Sequence, residues 1–532
     1  MRLIAEFGAH EELQLLALLV SAAALLLLAG PLRIPYPILL VLGGLAVGFA
    51  PGVPSVVMPP DVVLVGILPP LLYSAAYNTG LRELRRNLRS ISLLAVGLVG
   101  ATTVAVAAVA HYAIDLSWPA AFVLGAVVSP TDPIAATAIG RRLGVPRRPI
   151  AVIEGESLVN DGTALVLFRF AVAAVVTGTF SLVGATATLI WSVVGGIAIG
   201  LAIGHVIRLV RRRLDNPPLE VMIAFLTGYF TFLPASAIGA SGVLAVVTAG
   251  VYMGWHTPEL TTVETRLQGS GFWAIFNFLL NALLFGLVGL QLQPIVDGLT
   301  GWSAGELVAY GALVSAIVIV VRIAWVFPTT YVPRFLFRRI RERDPYPPWQ
   351  FPAFVSWAGM RGAITIAAAL AIPLRTDAGT LFTDRDLVIF LAFCVVLATL
   401  VVQGLSLPFV IRALGLEADD DVREEAKARI RAAEAALARL EELVAEEWVR
   451  GDTAERLRRQ YEFRRTRFAA RFDDGDDGMI EERSQAYQRL RRELLEAERD
   501  AVIALRNDGR ISDEVMHLVQ RDLDLEYSRL DA

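Results

Sequence analysis

The chain has 532 residues, of which 55% are hydrophobic, and its mean hydropathy is +0.56. This composition is too apolar for an ordinary soluble protein of this length, so it favours a membrane protein. The formal net charge of −4 gives no indication of a nucleic-acid partner. A single cysteine, Cys394, excludes an intrachain disulfide and a cysteine-based metal site.

Apolar runs of about twenty residues, the length that crosses a bilayer, recur as far as Arg412. Thirteen spans are predicted, and the first is interpreted as a retained helix rather than a signal peptide. They cover roughly 12–29, 34–50, 60–77, 89–113, 119–140, 150–177, 181–207, 218–233, 237–255, 272–292, 305–331, 351–374 and 386–412. The chain is charged from Glu417 onward, so residues 1–415 are predicted to be a transmembrane domain and residues 416–532 a helical tail.

Arginines are distributed unequally between the two alternating sets of loops. One set carries only Arg375 and Arg385, and the other carries the rest. The rich set comprises Arg33, Arg82, Arg85, Arg86, Arg89, Arg141, Arg142, Arg147, Arg148, Arg211, Arg212, Arg213, Arg266, Arg334, Arg338, Arg339, Arg341 and Arg343. Because basic loops remain in the cytoplasm, this bias predicts a multi-pass membrane protein with its N-terminus outside and its tail inside.

Three polar strings lie within predicted spans: Thr131–Pro133 in the fifth, Glu156–Asp161 in the sixth and Gly359–Gly362 in the twelfth. At 1.5 Å per residue, all three lie about 15–20 Å deep, near the bilayer midplane. Ionisable residues at that depth usually line an ion path. Proline and glycine interrupt the fifth and twelfth helices, which run in opposite directions, so we expect inverted repeats whose two broken helices cross around an ion.

Helical spacing separates the two carboxylates of the sixth span. Ser157 and Asp161 are four residues apart and share a face, while Glu156 and Asn160 share the neighbouring face. Glu156 therefore needs its own partner, and Arg322 is the only charge in its apolar run and lies at a comparable depth. These positions predict a structural ion pair between Glu156 and Arg322.

Several strings resemble the signature sequences of cation/proton antiporters, specifically of the sodium/proton exchanger branch. The matching strings are Ser129–Pro133, Gly155–Gly162 and Gly359–Ala363, with support from Leu68–Leu72, Ser241–Ala245 and Asn277–Phe285. The resemblance covers about residues 10–415. It implies a homodimer in the bacterial inner membrane and alternating access, in which a mobile core domain carries the ion across. Together with the counted spans, the predicted fold class is an all-α polytopic membrane protein of about thirteen helices.

The resemblance also implies roles for individual residues. Asp161 corresponds to the carboxylate that binds either the cation or the proton. Asn160 takes the position where electrogenic relatives hold a second aspartate, which implies electroneutral one-for-one exchange. Thr131 and Asp132 correspond to the crossing of the unwound helices, where they complete a cation/proton site with Ser157.

Two further positions follow from the resemblance. Arg322 matches the family arginine that pairs with the glutamate of the sixth helix, and Arg361 matches the arginine at the break of the twelfth. Many relatives carry an acid near the position of Ser74, and this chain has none there. A gating or cation-access role for such an acid is therefore not expected here.

Simpler roles compete with ion binding at some positions. A cap on the half-helix after the break explains Asp132 as well as an ion contact does. Arg361 is better explained by compensation of helix dipoles than by contact with substrate. Because sodium is a hard cation that takes oxygen ligands, Asp161, Ser157 and the region of Thr131 are the predicted ligands of the transported ion.

The predicted function is exchange of sodium, with lithium or potassium as alternatives, for protons. A potassium/proton antiporter is the alternative, and a cation channel is less favoured because channels need a continuous polar pore. The sequence has no nucleophile–histidine set, metalloprotease motif or phosphate loop, so neither an enzyme nor a cofactor is expected. The expected partners are Na⁺, H⁺, the lipid bilayer and a second copy of the chain.

In the tail, Val422–Trp448 is predicted to be one helix with an apolar stripe. The acidic segment Asp473–Gly478 is interpreted as a helix breaker rather than a calcium loop, because the twelfth-position glutamate pattern is missing. A second helical part is predicted from Met479, and Asp508–Asp513 is predicted to be a turn followed by a helix cap. A solvated appendage and a regulatory or dimer-contacting module explain this tail equally well.

Overall fold

The computed structural model describes residues 35–50, 60–177, 182–299, 301–376, 379–382, 384–416, 421–446, 448–469 and 479–528. Every regular element within these ranges is a helix, apart from one isolated antiparallel bridge between Arg375 and Leu381. The chain divides after Glu417 into two units. The first is the membrane unit and the second is the tail unit.

The membrane unit is built from long apolar helices and several short ones. In chain order they are α1 (Tyr36–Gly48), α2 (Val62–Asn78), α3 (Leu81–Ile114), α4 (Trp118–Val128), α5 (Ile134–Arg142), α6 (Arg147–Thr177), α7 (Leu182–Arg211), α8 (Pro217–Ala237), α9 (Gly242–Leu260), α10 (Val263–Leu290), α11 (Leu292–Asp297), α12 (Ala304–Leu336), α13 (Arg338–Arg343), α14 (Gln350–Trp357), α15 (Ala363–Leu370) and α16 (Arg385–Leu414).

Helices occupy the predicted spans from the second to the thirteenth, although several begin or end a few residues away from the predicted limits. Seven of the described helices are long and apolar enough to cross a bilayer by themselves, and α1, α2 and α4 are shorter apolar helices. The first predicted span, 12–29, and Arg33 lie outside the described residues. An all-α polytopic membrane fold is therefore confirmed, while the number thirteen stays a prediction.

Two spans are interrupted near their centres. The fifth consists of α4 and α5, which are separated by residues 129–133, and the twelfth consists of α14 and α15, which are separated by residues 358–362. Pro130 and Pro133 fall within the first gap, where neither can donate a backbone hydrogen bond to continue α4. Both broken helices leave backbone groups at mid-membrane depth that need partners from elsewhere in the protein.

Helix α16, which packs against the half-helices α4 and α15, is the most buried of the seven long apolar helices that the structure describes. In α16, 72% of the most apolar stretch is buried, compared with 28% in α7. The exposed side of α7 carries Ile190, Trp191 and Val194, whose side chains are suited to lipid contact. The broken helices therefore lie in the protein interior, where irregular backbone is tolerated, and α7 lies at its periphery.

The tail unit contains α17 (Asp421–Leu443), α18 (Gly451–Ala469), α19 (Met479–Asn507) and α20 (Asp513–Ser528). The prediction of one helix to Trp448 is wrong, because α17 ends at Leu443. The chain turns back there, so that Arg458 on α18 reaches Glu441 at 2.7 Å. The guanidinium of Arg429 also lies 5.1 Å from the ring centroid of Phe468. A longer α17 would have separated these partners.

Other predictions for the tail fall at its later helices. The segment Asp473–Gly478 lies outside the described residues. The predicted turn before α20 is present, and the Ser512 hydroxyl accepts a hydrogen bond from the Val515 backbone at 3.3 Å. Such a bond satisfies one of the free amides at the start of a helix.

Candidate functional site

The two interrupted helices meet at their breaks. The backbone N–H of Asp132, in the first gap, donates to the carbonyl of Met360, in the second, at 2.8 Å. Gly362 allows this approach, because a Cβ atom at its position would overlap the Asp132 carboxylate. The crossing predicted from the sequence is therefore held by a direct backbone hydrogen bond between the two unwound segments.

One oxygen of Asp132 is used as a helix cap. Its Oδ1 atom accepts a hydrogen bond from the Ile134 backbone at 2.9 Å, at the start of α5. A carboxylate in this position satisfies a free amide and interacts favourably with the positive end of the helix. The residue also lines the cavity described below.

The Glu156 carboxylate accepts three hydrogen bonds from buried side chains. The two nitrogens Nη1 and Nη2 of Arg322 donate to its two carboxylate oxygens at 2.5 and 2.9 Å. The Thr131 hydroxyl adds a third hydrogen bond at 3.1 Å. The side chains of Arg322 and Glu156 are 0% and 1% exposed, so the pair is protected from water and its bidentate geometry compensates for desolvation.

Arg322 also binds the end of a broken helix. Its Nε and Nη2 atoms donate to the carbonyl of Val355, in the last turn of α14, at 3.1 and 2.9 Å. The chain has glycine at position 359, where a Cβ atom would collide with the Arg322 side chain. The ion pair therefore joins α6, α12 and α14, and both of its charges are compensated within the protein.

Arg361 binds the ends of both broken helices. Its Nε atom donates to the carbonyl of Val128, the last residue of α4, at 3.1 Å. Its Nη1 atom donates to the carbonyl of Gly359, just after α14, and its backbone N–H donates to the Thr399 hydroxyl at 3.0 Å. A cation at two negative helix ends satisfies carbonyls that no helix continues to pair.

Thr131 links the ion pair to Asn160. Its hydroxyl accepts a hydrogen bond from Asn160 Nδ2 at 2.9 Å while donating to Glu156. The Asn160 side chain is completely buried, and its Oδ1 atom has no partner among the described residues. Asn160 therefore positions Thr131 at the crossing and presents one uncompensated amide oxygen.

Asp161 has a different environment from Glu156. Its carboxylate is 3% exposed and accepts no hydrogen bond from any residue that the structure describes. Ser157, one turn earlier and 8% exposed, has a hydroxyl that likewise forms no hydrogen bond within the described part of the chain. Both residues line a cavity of about 660 Å³ that also contacts Thr131 and Asp132.

The cavity extends from the crossing to one end of the helices. Near that end it is lined by Arg141 and Glu154, which form an ion pair at 2.5 Å with the arginine 67% exposed. Arg141 belongs to the arginine-rich set of loops. Asp161 is therefore accessible from the side of the membrane that carries most of the positive charge.

The wall opposite α6 contains polar residues that the sequence argument did not assign to the site. Asn277 and Asn281 on α10 line the cavity, and Asn277 Nδ2 donates to the Ser74 hydroxyl at 2.7 Å. Both asparagines have a buried Oδ1 atom without a partner among the described residues. The sequence does indicate this polar face, because two asparagines four residues apart in an apolar span lie on the same side of a helix.

Comparison with known proteins identifies this arrangement. Residues 15–413 match the family described as sodium/hydrogen exchanger, transmembrane. The chain belongs to this family. It is 38% identical over 537 residues to an uncharacterised Na⁺/H⁺ exchanger of Mycobacterium tuberculosis, an alignment that covers 99% of this chain and 98% of the relative.

Two further relatives have more specific descriptions. A Na⁺/H⁺ antiporter of Aphanothece halophytica is 32% identical over 500 residues, with 92% of each chain covered. A protein of Bacillus subtilis described as a sodium, potassium, lithium and rubidium/H⁺ antiporter is 34% identical over 388 residues, covering 70% of this chain and 57% of the relative. Cation/proton antiport is thus the activity that the family supports.

The fold agrees with a solved member of this class. The sodium proton antiporter MjNhaP1 of Methanocaldococcus jannaschii superimposes with a TM-score of 0.62, covering 77% of this chain and 98% of that protein at 18% sequence identity. This exchanger is therefore a multi-pass membrane protein with the antiporter fold. The contacts around α4, α6, α12 and α14 show how its own sequence builds the crossing at the centre of that fold.

Proposed function

We propose that this exchanger moves one sodium ion in exchange for one proton, and that Asp161 is the carboxylate that binds both. The observation that carries the proposal is the contrast within α6. Asp161 faces a cavity without a hydrogen-bond partner from the described residues, while Glu156 is paired with Arg322 and accepts a further hydrogen bond from Thr131. A buried carboxylate that lacks internal partners is available to a cation or a proton, but not to both at once.

Oxygen atoms around Asp161 suit a hard cation such as sodium. The Ser157 hydroxyl lies one helical turn away on the same face and lines the same cavity. The Thr131 hydroxyl already serves Glu156 and Asn160, so the proposed contribution of Thr131 is its backbone carbonyl and remaining lone pair. Asp132 contributes the carboxylate oxygen that does not cap α5.

Access to this site is proposed to alternate between the two sides of the membrane. With the orientation predicted from the arginine distribution, the N-terminus outside and the tail in the cytoplasm, the cavity beside Arg141 and Glu154 opens toward the cytoplasm. The conformation described here is then the inward-open one. A homodimer in the inner membrane, with the broken-helix region as the moving part, completes the proposal.

Asn160 supports electroneutral exchange. It stands where electrogenic relatives hold a second aspartate, and its amide carries no charge when it binds Thr131. Asp161 is balanced by one monovalent cation or by one proton, and Asp132, as the cap of α5, keeps the same charge throughout, so the charge of the site is the same in both half-cycles. The stoichiometry then follows from the charge of residue 160 rather than from the number of carboxylates in the cavity.

Flux measurements in proteoliposomes test the choice of cation. Sodium, lithium and potassium gradients would each be imposed across vesicles that contain the purified protein and an internal pH dye. We expect sodium to drive proton counterflow that saturates with concentration. Counterflow with potassium and not sodium would establish the potassium/proton alternative, which the description of the Bacillus subtilis relative makes worth testing. Cation flux without proton counterflow would indicate a channel.

A further inference from the structure

Three arginines converge on one carboxylate at the arginine-rich end of the membrane unit. Asp344, directly after α13, accepts hydrogen bonds from Arg89 on α3 at 2.9 Å and from Arg334 on α12 at 2.6 Å. Its other oxygen accepts from Arg148 on α6. Arg89, Arg148 and Arg334 are called the arginine cluster below.

The charges of the arginine cluster do not balance. Three guanidinium groups face one carboxylate, which leaves an excess of two positive charges at this point. The nearby acid Glu342 forms its own ion pair with Arg338 at 2.7 Å and does not contribute. The Arg334 side chain is only 2% exposed, so water screens its charge poorly.

An unfilled donor adds to this imbalance. The Nε atom of Arg89 is buried and has no partner among the described residues. A buried N–H without an acceptor is costly, and a charged one more so. The cluster thus presents both excess charge and hydrogen-bonding capacity that Asp344 alone does not satisfy.

A small cavity lies against the arginine cluster. Its volume is about 60 Å³, and its polar lining is formed by Arg148, Arg334, Ser90, Thr329 and Thr330. This volume is several times the ~10–15 Å³ that a cavity needs to hold one water molecule, which is room for a small anionic group. The remaining lining is apolar and includes Leu93 and Phe351, so the cavity has one charged side and one apolar side.

We propose that the arginine cluster is a binding site for a phosphate group. Arginine binds phosphate oxygens with strong, directional hydrogen bonds, and two members of the cluster line the cavity. Basic pockets between transmembrane helices on the cytoplasmic side suit the headgroups of anionic lipids. The phosphate comes from such a lipid or from free inorganic phosphate, and the experiment below separates these sources.

The bound anion would link three helices. Ser90 on α3, Arg148 on α6 and Arg334 on α12 all line the cavity, and Asp344 already joins the same three helices through the arginine cluster. Neutralising the excess charge stabilises the packed arrangement, and a ligand that binds only the folded state raises its melting temperature. This site is separate from Asp161, so it does not depend on the proposed sodium/proton exchange.

The test uses the purified full chain in detergent. Melting temperature and ligand occupancy by native mass spectrometry would be measured with phosphatidylglycerol, with phosphatidylethanolamine, and with inorganic phosphate against chloride at equal ionic strength. We expect phosphatidylglycerol or inorganic phosphate to raise the melting temperature. Stabilisation by the lipid alone would assign the site to a headgroup, and stabilisation by phosphate alone would assign it to the free anion.

Variants test whether binding is specific to the arginine cluster. Arg148→Gln should weaken binding of the stabilising probe at least fivefold, while Arg86→Gln, exposed one turn from Arg89 on α3, should change it less than twofold. If Arg148→Gln does not fold, Ser90→Ala should weaken binding about threefold without removing a charge. Asp344→Asn should tighten binding, because it removes the competing carboxylate.

Two results would overturn the proposal. One is the absence of stabilisation by either anionic probe in the wild-type protein. The other is an equal loss of binding in the cluster variants and in Arg86→Gln, which would mean that the anion responds only to the general positive charge of this surface. Neither result would bear on antiport, which is measured separately by cation-driven proton flux.

Discussion

Glu156 and Asp161 lie five residues apart on α6 and are both almost completely buried, yet the groups that surround their carboxylates differ. Five residues correspond to a rotation of about 140° around the helix, so the two side chains point to different neighbours. One faces the packed ion pair with Arg322, and the other faces the cavity. The same chemical group is structural on one side of the helix and available on the other.

This contrast separates two requirements of an antiporter. The broken helices need fixed charges at their ends, and Arg322 and Arg361 supply them by binding the carbonyls of Val355 and Val128. The transported ion needs a carboxylate that the protein does not satisfy itself. The fixed charge of Arg322 and the carboxylate of Asp161 lie at a similar depth. Glu156 neutralises Arg322, and Asp161 takes no part in that ion pair.

The largest expected effect is loss of transport in Asp161→Asn. The amide has nearly the same shape but binds neither a proton nor a sodium ion by charge, so exchange in proteoliposomes should fall to the level of empty vesicles. The melting temperature should not fall, because no internal hydrogen bond from a described residue is lost. Glu264→Gln, at an exposed position at the start of α10, is the control and should retain flux. Substantial flux in Asp161→Asn would contradict the assignment.

Next in size is the destabilisation caused by breaking the ion pair. Glu156→Ala or Arg322→Ala should each lower the free energy of unfolding by about 3–5 kcal/mol, because each leaves a buried charge without its partner. The double variant should recover part of that loss. Equilibrium unfolding of the four proteins measures the coupling, and additive losses would mean that the two side chains do not stabilise each other.

A smaller effect is expected at the helix ends. Arg361→Gln removes charged hydrogen bonds to the carbonyls of Val128 and Gly359. The net cost should be about 1.5–3 kcal/mol, the typical contribution of one such bond, because the glutamine amide can still donate to one of the two carbonyls. Thr399→Val, which removes the acceptor for the Arg361 backbone and the hydroxyl that donates to the Val395 carbonyl of its own helix, should cost about 1 kcal/mol. A variant at Arg361 that kept full stability but lost sodium affinity would assign this arginine to the cavity rather than to the helix ends.

The dependence of sodium affinity on pH tests the availability of Asp161. Protons and sodium compete for one carboxylate, so the apparent KM for sodium should rise as the pH falls, by at most tenfold per pH unit. The maximal rate at saturating sodium should change much less. Initial rates over a grid of sodium concentration and pH measure both quantities, and a KM that stays constant with pH would show that the two ions bind at different places.

The smallest expected effect is the response to voltage. A cycle that carries one net charge gains or loses about 2.3 kcal/mol per 100 mV, whereas one-for-one exchange gains nothing. Sodium-driven proton flux should therefore be unchanged when potassium and valinomycin set different membrane potentials. A steep dependence would mean that a second acid titrates in the cycle, and Asp132, with one oxygen free of the α5 cap, is the first candidate.

Much of this architecture is determined by the sequence. Apolar runs mark the spans, because a helix of that length satisfies its own backbone hydrogen bonds in lipid. Proline and glycine mark the two breaks, because proline cannot donate the next helical hydrogen bond and glycine is a poor helix former. Even the partner of Glu156 can be predicted from the sequence, since Arg322 is the single opposite charge at a matching depth in its span. Scarcity of charge in hydrocarbon makes pairing predictable there.

Other features depend on how the helices pack. Spacing along a helix fixes which residues share a face, but not which distant element that face meets. The division of Asp132 between a cap and the cavity, and the contribution of Asn277 and Asn281 to the opposite wall, follow from contacts across the fold. In the arginine-rich loops, where charges are many, the choice of Asp344 as the shared partner of three arginines was decided by the tertiary structure alone.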